Sequence, residues 1–196
     1  MSVVGRNGEA VVLDLVSKDW SFDIVPCFHT VTEYDGRAYY LIPNGSGNWK
    51  KTDPNKDRDH VIATNQSKDG RVLELIRLIK RWNKTRNAKT MPSYLLETMI
   101  INHADSVDEL SQWIDYRFRD ALKYVADNVR LPVYDMKQIQ GDINSLDFSE
   151  RIILQVKAQS DYEKACLAWE LEKNGNHKDA IKKWGEIFGG EFPVYG

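Results

Sequence analysis

Apolar residues fall at helical spacing through the stretch Arg71 to Trp82, which reads RVLELIRLIKRW. Val72, Leu75, Ile76 and Ile79 form one stripe, and Leu73, Leu78 and Trp82 widen it to well over half the circumference. A helix apolar on that much of its surface packs against several neighbours, so the pattern predicts the centre of a helical core here. Pro92 and Ser93 then open a second helix that runs through LLETMIIN to about His103, with Ser93 placed to cap exposed amides. Ser106-Val107-Asp108-Glu109 has the form of a capping box and predicts a long amphipathic helix to about Val129. Leu110, Trp113, Ile114, Phe118, Leu122 and Val125 make its inner face, and Pro132 breaks it. Residues 133 to 147 read as an irregular connection. A long helix follows from Phe148 to Lys173, bearing Ile152, Ile153, Val156, Ala165, Cys166 and Trp169 and ended by Asn174-Gly175. The pattern closes with a short helix from His177 to Phe188.

The N-terminal quarter has strand character instead. Met1 to Gly8 is polar and predicts a turn, and EAVVLDLV (Glu9 to Val16) predicts a strand with both faces partly covered. After a turn at Ser17-Lys18-Asp19, the stretch Ser21 to Phe28 alternates, separating Phe22 and Ile24 from Asp23 and Val25 until Pro26 ends the ladder. Val31 to Ile42 predicts a hairpin turning at Asp35-Gly36. Pro43 to Asp57 reads as loop throughout, and Asp53-Pro54 caps a helix to about Lys68 with Val61, Ile62 and Asn65 facing inward. The fold class expected is α+β, a mostly antiparallel sheet over residues 9 to 42 beside a helical bundle over 55 to 188.

Composition narrows the function. The 196 residues carry a net charge of −2, which argues against a general nucleic-acid coat protein and makes any anion binding local. Cys27 and Cys166 form no metal or disulfide pattern and fit a reducing compartment. No apolar run approaches the ~20 residues that span a bilayer, and a cytoplasmic location is expected. The four histidines are scattered, without metal-ligand spacing. From Lys68 to Lys89, however, eight cations stand against two acids. That local excess points to an anionic ligand, or merely to cations that complement a helix C-terminus. Asp23, a carboxylate in an apolar strand, reads as a metal ligand, a catalytic base or half of an ion pair, because an unpaired buried charge is expensive.

Three sets of residues resemble one family. The strand FDIVPCF (Phe22 to Phe28) is similar to the strand carrying the third metal-binding acid of polymerase-β-like nucleotidyltransferases. The segment IPNGSGNWKKTDP, the helix LIRLIKRWN followed by PSYLLE, and the ending AIKKWGEIFGGEFP resemble the CD-NTases, bacterial relatives of cyclic GMP-AMP synthase and oligoadenylate synthetase. The resemblance runs from about Gly8 to Pro193. It implies that residues 1–54 are the C-terminal part of a nucleotidyltransferase palm and 55–196 a helical substrate-binding domain of the oligoadenylate-synthetase type. It assigns Asp23 to catalysis and metal binding, Lys80 and Ser93 to the triphosphate and Tyr94 to the base, while Trp49, on a loop that borders the nucleotide cleft in the family, reads as a base platform or as a plug at a core edge.

In the family, Asp23's counterpart joins two acids of an Asp-x-Asp strand to hold two Mg²⁺ ions. Only 22 residues precede Asp23 here, and they contain neither Gly-Ser nor Asp-x-Asp. The expectation is therefore the C-terminal portion of an enzyme that joins NTPs into cyclic oligonucleotide signals in anti-phage defence, inactive as this chain alone. Its expected partners are NTP substrates and either a missing N-terminal half or a second copy meeting an exposed sheet edge. Two other readings are a stand-alone nucleotide-binding or protein-interaction module and an RNA 3′-end nucleotidyltransferase. The last is disfavoured by the lack of a long basic track.

Overall fold

The computed structural model describes residues 2–15, 17–18, 20–32, 36–85, 90–190 and 192–196. It is α+β, with two compact units: residues 1–58 with 137–140, and residues 59–136 with 141–196.

The first unit holds two three-stranded antiparallel sheets. Strands β1 (Ser2–Asn7), β2 (Ala10–Leu15) and β3 (Trp20–Ile24) make one in that order. The polar start read as a turn is thus a strand: Val3 and Val4 pair with Asp14 and Leu13. Asn7 pairs with Ala10, and Gly8, at φ 58°, takes the first position of the two-residue turn between them, where glycine is favoured. Strands β4 (Phe28–His29), β5 (Tyr40–Pro43) and β6 (Trp49–Thr52) make the second sheet. Ser21 to Phe28 is therefore not one strand, and the chain changes sheets across Val25-Pro26-Cys27. Pro26 lacks the N–H a ladder needs.

The hairpin also differs from expectation. Its first arm is Phe28–His29, extended by the Thr30 amide donating to the Tyr39 carbonyl at 2.7 Å, while Val31 and Thr32 lie outside any strand. Glu33, Tyr34 and Asp35 fall outside the described residues, as do Val16 and Asp19 of the earlier strand and turn. The supposed loop 43–57 contains β6, because Asn44 Oδ1 accepts from the Ser46 and Asn48 amides and closes a tight turn before Trp49. The Arg6 guanidinium donates to the Gly45 carbonyl, and Lys50 pairs with Glu9, so the two sheets are joined within this unit.

Helix α1 (Pro54–Ser67) starts where Asp53 Oδ1 accepts the Lys56 amide at 3.1 Å. Val61 packs on the core, but Ile62 is exposed. Asn65 works differently from an inward-facing side chain: its Oδ1 accepts the Val72 and Leu73 amides, both at 3.1 Å. It thereby caps α2 (Arg71–Lys84) across a turn made by Asp69 and Gly70 at positive φ.

The second unit closes around α2, whose Val72, Leu75, Ile79 and Trp82 are fully buried. Helix α3 (Ser93–Ser106) contributes Leu95, Leu96, Met99, Ile100 and Ile101 to the same cluster. Helix α4 begins at Ile114 and ends at Asn128, well after the sequence's apparent capping box. Ser106 ends α3 instead, and the carbonyls beyond it are held by cations. Lys68 Nζ donates to Val107 and Asp108, Arg71 to Leu110, and the buried Arg117 to Ser111 and Gln112. Those bonds fix residues 107–112 as a bent, non-helical strap and leave Trp113 exposed rather than on the inner face.

Helix α5 (Phe148–Lys173) has the capping box that the sequence reading missed, with Asp147 and Glu150 exchanging backbone bonds at 2.8 and 3.0 Å. Its Ile152, Ile153 and Val156 are exposed, and Leu154, Ala158, Ala165 and Ala168 make the contact. Helix α6 (His177–Phe188) begins as predicted, with Asn176 at its cap. Among the described residues no helix is long and apolar enough to cross a membrane.

Candidate functional site

In the helical unit, α2 supplies Lys80 and α3 supplies Ser93, Tyr94 and Glu97. Lys80 Nζ is in direct ionic contact with Glu97, both side chains being about one-third exposed. Ser93 lies one helical turn before Glu97, so Ser93, Glu97 and the Lys80 ammonium share one face of the α2–α3 pair. Ser93 does not cap α3. Pro92 holds the N-cap position, and the exposed Ser93 hydroxyl takes no partner among the described residues. An ammonium and an unengaged hydroxyl beside a helix N-terminus suit phosphate oxygens.

Tyr94 is half-buried, and its hydroxyl donates to Asp135 at 2.7 Å. Asp135 is itself buried, with its amide on the Gly141 carbonyl at 2.9 Å. The phenol is thus pinned by its tip, which fixes the direction of a ring face that suits a base.

The basic cluster resolves into different tasks. Lys68 and Arg71 hold strap carbonyls and Lys80 holds Glu97, whereas Arg77 and Lys84 have no ion pair among the described residues. Arg86 and Lys89 lie outside the described residues.

In the sheet unit, Asp23 sits on β3, an edge strand, and is exposed. Its carboxylate has no hydrogen bond or ion pair among the described residues. The register pairs Asp23 with Val12 and Ser21 with Asp14, which puts Asp14 and Asp23 on the same face, diagonally across two strands. Among the described residues no group of three or more His, Cys, Asp or Glu side chains is assembled to hold a metal. Two carboxylates without a third do not make the donor set of a two-Mg²⁺ site.

Trp49 is half-exposed on β6, with its ring 5.0 Å from that of the exposed Phe28. The lysines beside it are engaged. Lys50 pairs with Glu9, and its hydrogen bond holds the Glu9 carboxyl below the usual carboxylate range. Lys51 lies 4.9 Å from the Tyr39 ring centre.

The histidines stay apart from these residues. His60 Nε2 meets Asp105 at 2.9 Å, and the Thr64 hydroxyl donates to the same carboxylate. His103 is buried against Tyr124, and burial holds its pKa below the ordinary histidine value. Sequence reasoning missed Glu97 and Asp135. Glu97 was legible as the residue four beyond Ser93, whereas nothing local marks Asp135 as the partner of Tyr94.

No family model matches the chain. Over 194 residues it is 42% identical to a probable cyclic nucleotide synthase of Bacillus cereus (strain VD146), covering 98% of this chain and 57% of that protein. The GTP-bound crystal structure of Vibrio cholerae DncV superposes with a TM-score of 0.79 at 14% identity, over 98% of this chain and 52% of DncV. CdnC from Escherichia coli MS115-1, solved with ATP, gives a TM-score of 0.72 at 14% identity over 97% of this chain and 66% of CdnC. At those identities the likeness to the solved structures is one of fold. The chain spans little more than half the length of the curated relative it matches. Over that span it is a homologue of that probable cyclic nucleotide synthase, and its fold is that of DncV and CdnC.

Proposed function

We propose that these residues are the nucleotide-holding part of a synthase that joins NTPs into a cyclic di- or oligonucleotide signal, with a role in anti-phage defence. The observation that carries the reading is the single face of the α2–α3 pair on which Lys80 and Ser93 open together. Lys80 and Ser93 take triphosphate oxygens, and Tyr94, braced by Asp135, stacks on a base. Trp49 supplies a second aromatic surface on the sheet unit.

Asp23 is the one acid these residues bring to a metal pair, whose Mg²⁺ ions activate the acceptor hydroxyl and neutralise the leaving pyrophosphate when bound. The other acids must come from outside the 196 residues, so this polypeptide by itself has no nucleotidyl transfer activity. A missing N-terminal half or a second copy of the chain covers the apolar face of the first sheet. The setting is the cytoplasm, where NTPs and Mg²⁺ are supplied.

The reading is tested by titrating the 196-residue chain with ATP in a calorimeter. Weak binding is expected, reduced about tenfold by Lys80→Ala, as for loss of one charge-assisted contact, and by less in Ser93→Ala. Binding unchanged by both substitutions would falsify the assignment of this face.

A further inference from the structure

Lys80 already holds an anion. Its ammonium contacts the Glu97 carboxylate, and that carboxylate stands one turn along α3 from the Ser93 hydroxyl. The pair is not needed to satisfy a buried charge, because both side chains keep about one-third of their surface in water. Nor does it support a helix cap or the core. Leu95, Leu96, Met99 and Ile100 bury α3 around it without involving Glu97. Exposed pairs of this kind contribute little to folding, so its consequence lies in what it does to Lys80.

Resting on the reading of Lys80 as a triphosphate ligand, we propose that Glu97 is the resident anion of that seat. It keeps the ammonium aimed at the Ser93 face while no nucleotide is present, and it must release Lys80 when a phosphate arrives. Two opposed effects follow from one carboxylate. Holding Lys80 restricts a long, flexible side chain to one direction before binding, which reduces the ordering left to be done. Against that, the carboxylate repels an incoming polyphosphate and competes with it for the same three N–H donors. The competition dominates, because a lysine ammonium is a point charge with little directional demand, whereas a triphosphate brings several negative charges to the spot.

The surrounding charges fit a threshold rather than a barrier. Arg77 lies three residues before Lys80 and Lys84 four after, and neither has an ion pair among the described residues. Glu97 therefore lowers a positive field without abolishing it. A weakly anionic or singly phosphorylated ligand fails to displace Glu97, and a triphosphate succeeds. In this arrangement Glu97 is a specificity-setting residue for the number of phosphates. It touches the phosphate seat but takes no part in chemistry.

The test is isothermal titration of ATP and AMP into the 196-residue chain and its Glu97→Gln, Lys80→Ala and doubly substituted variants, at low salt, with Glu97→Ala as a second removal of the charge. Thermal melts confirm that each variant is folded. Glu97→Gln and Glu97→Ala are expected to bind ATP about fivefold more tightly than the parent, the upper end of what an exposed pair is worth. They are also expected to narrow the preference for ATP over AMP, and the gain should largely vanish in the Lys80→Ala background. If Lys80→Ala weakens ATP binding but both Glu97 variants bind as the parent does or less well, Glu97 is not a competitor and this proposal alone fails. If ATP binds no variant, or binds without regard to Lys80, the phosphate seat itself is absent and both readings fall.

Discussion

The two units bury their apolar residues very differently. In the helical unit Val72, Leu75, Ile79, Trp82, Leu96, Ile100, Phe118 and Leu122 are entirely enclosed. In the sheet unit only Ala10 and Tyr39 are buried among the described apolar residues. Val4, Val11, Trp20, Phe22 and Ile24 stand exposed, and the register gathers them on one face of the first sheet: Leu13 pairs Val4 with Phe22, and Val11 faces Ile24. Asp23 lies on the opposite face with Val12 and Asp14. A helix pair can close a core from consecutive segments, whereas a three-stranded sheet exposes a whole face until something else is laid on it. An apolar face of that extent marks a surface built to be covered.

Substitutions can break this contrast, and the largest effect belongs to the helical core. Trp82→Ala removes a fully buried ring whose Nε1 donates to the buried Asp161 at 2.9 Å and whose face lies 4.5 Å from Lys157 Nζ. A loss of roughly 3–5 kcal/mol is expected in urea unfolding followed by circular dichroism. Next comes Asp147→Ala, which removes the capping box of α5 and is expected to cost about 1 kcal/mol in the same measurement.

A smaller effect concerns His103. Burial makes its imidazole harder to protonate, with Asp120 opposing that shift only in part. As pH falls below about 6.5 the unfolded chain takes up a proton that the folded chain declines, so stability drops with pH. Thermal melts between pH 7.5 and 5.5 should show that slope, and His103→Gln should flatten it; an unchanged slope assigns the effect to other groups. The smallest change in stability is expected from Trp20→Thr with Phe22→Thr, within about 0.5 kcal/mol of the parent. Light scattering should nevertheless show less self-association. Undiminished association would move the sticky surface elsewhere.

Periodicity made the helical unit legible because burial there follows the 3.6-residue repeat. Residues 177–188 were read to the residue, and the core stripe of α2 was found from spacing alone. What escaped was held by contacts between distant residues. Ser106 to Glu109 has the letters of a capping box, but Lys68, Arg71 and Arg117 take the carbonyls that a helix start there would use. Asn65 caps a helix other than its own, and β1 and β6 form because partners three to thirteen residues away complete their ladders. The candidate site divides the same way. Lys80, Ser93 and Tyr94 follow from motif and Glu97 from its place one turn beyond Ser93, whereas Asp135 is visible only once the irregular connection after α4 is placed beside Tyr94.

We propose that these 196 residues hold nucleotide and contribute a single acid to the metal pair. It is tested most directly by incubating the purified chain with radiolabelled ATP and GTP and Mg²⁺, then resolving the products. No pyrophosphate release and no linear or cyclic product is expected from this chain alone, at concentrations where calorimetry shows ATP bound. A nucleotidyl product made by the chain alone, and abolished by Asp23→Asn, would contradict it.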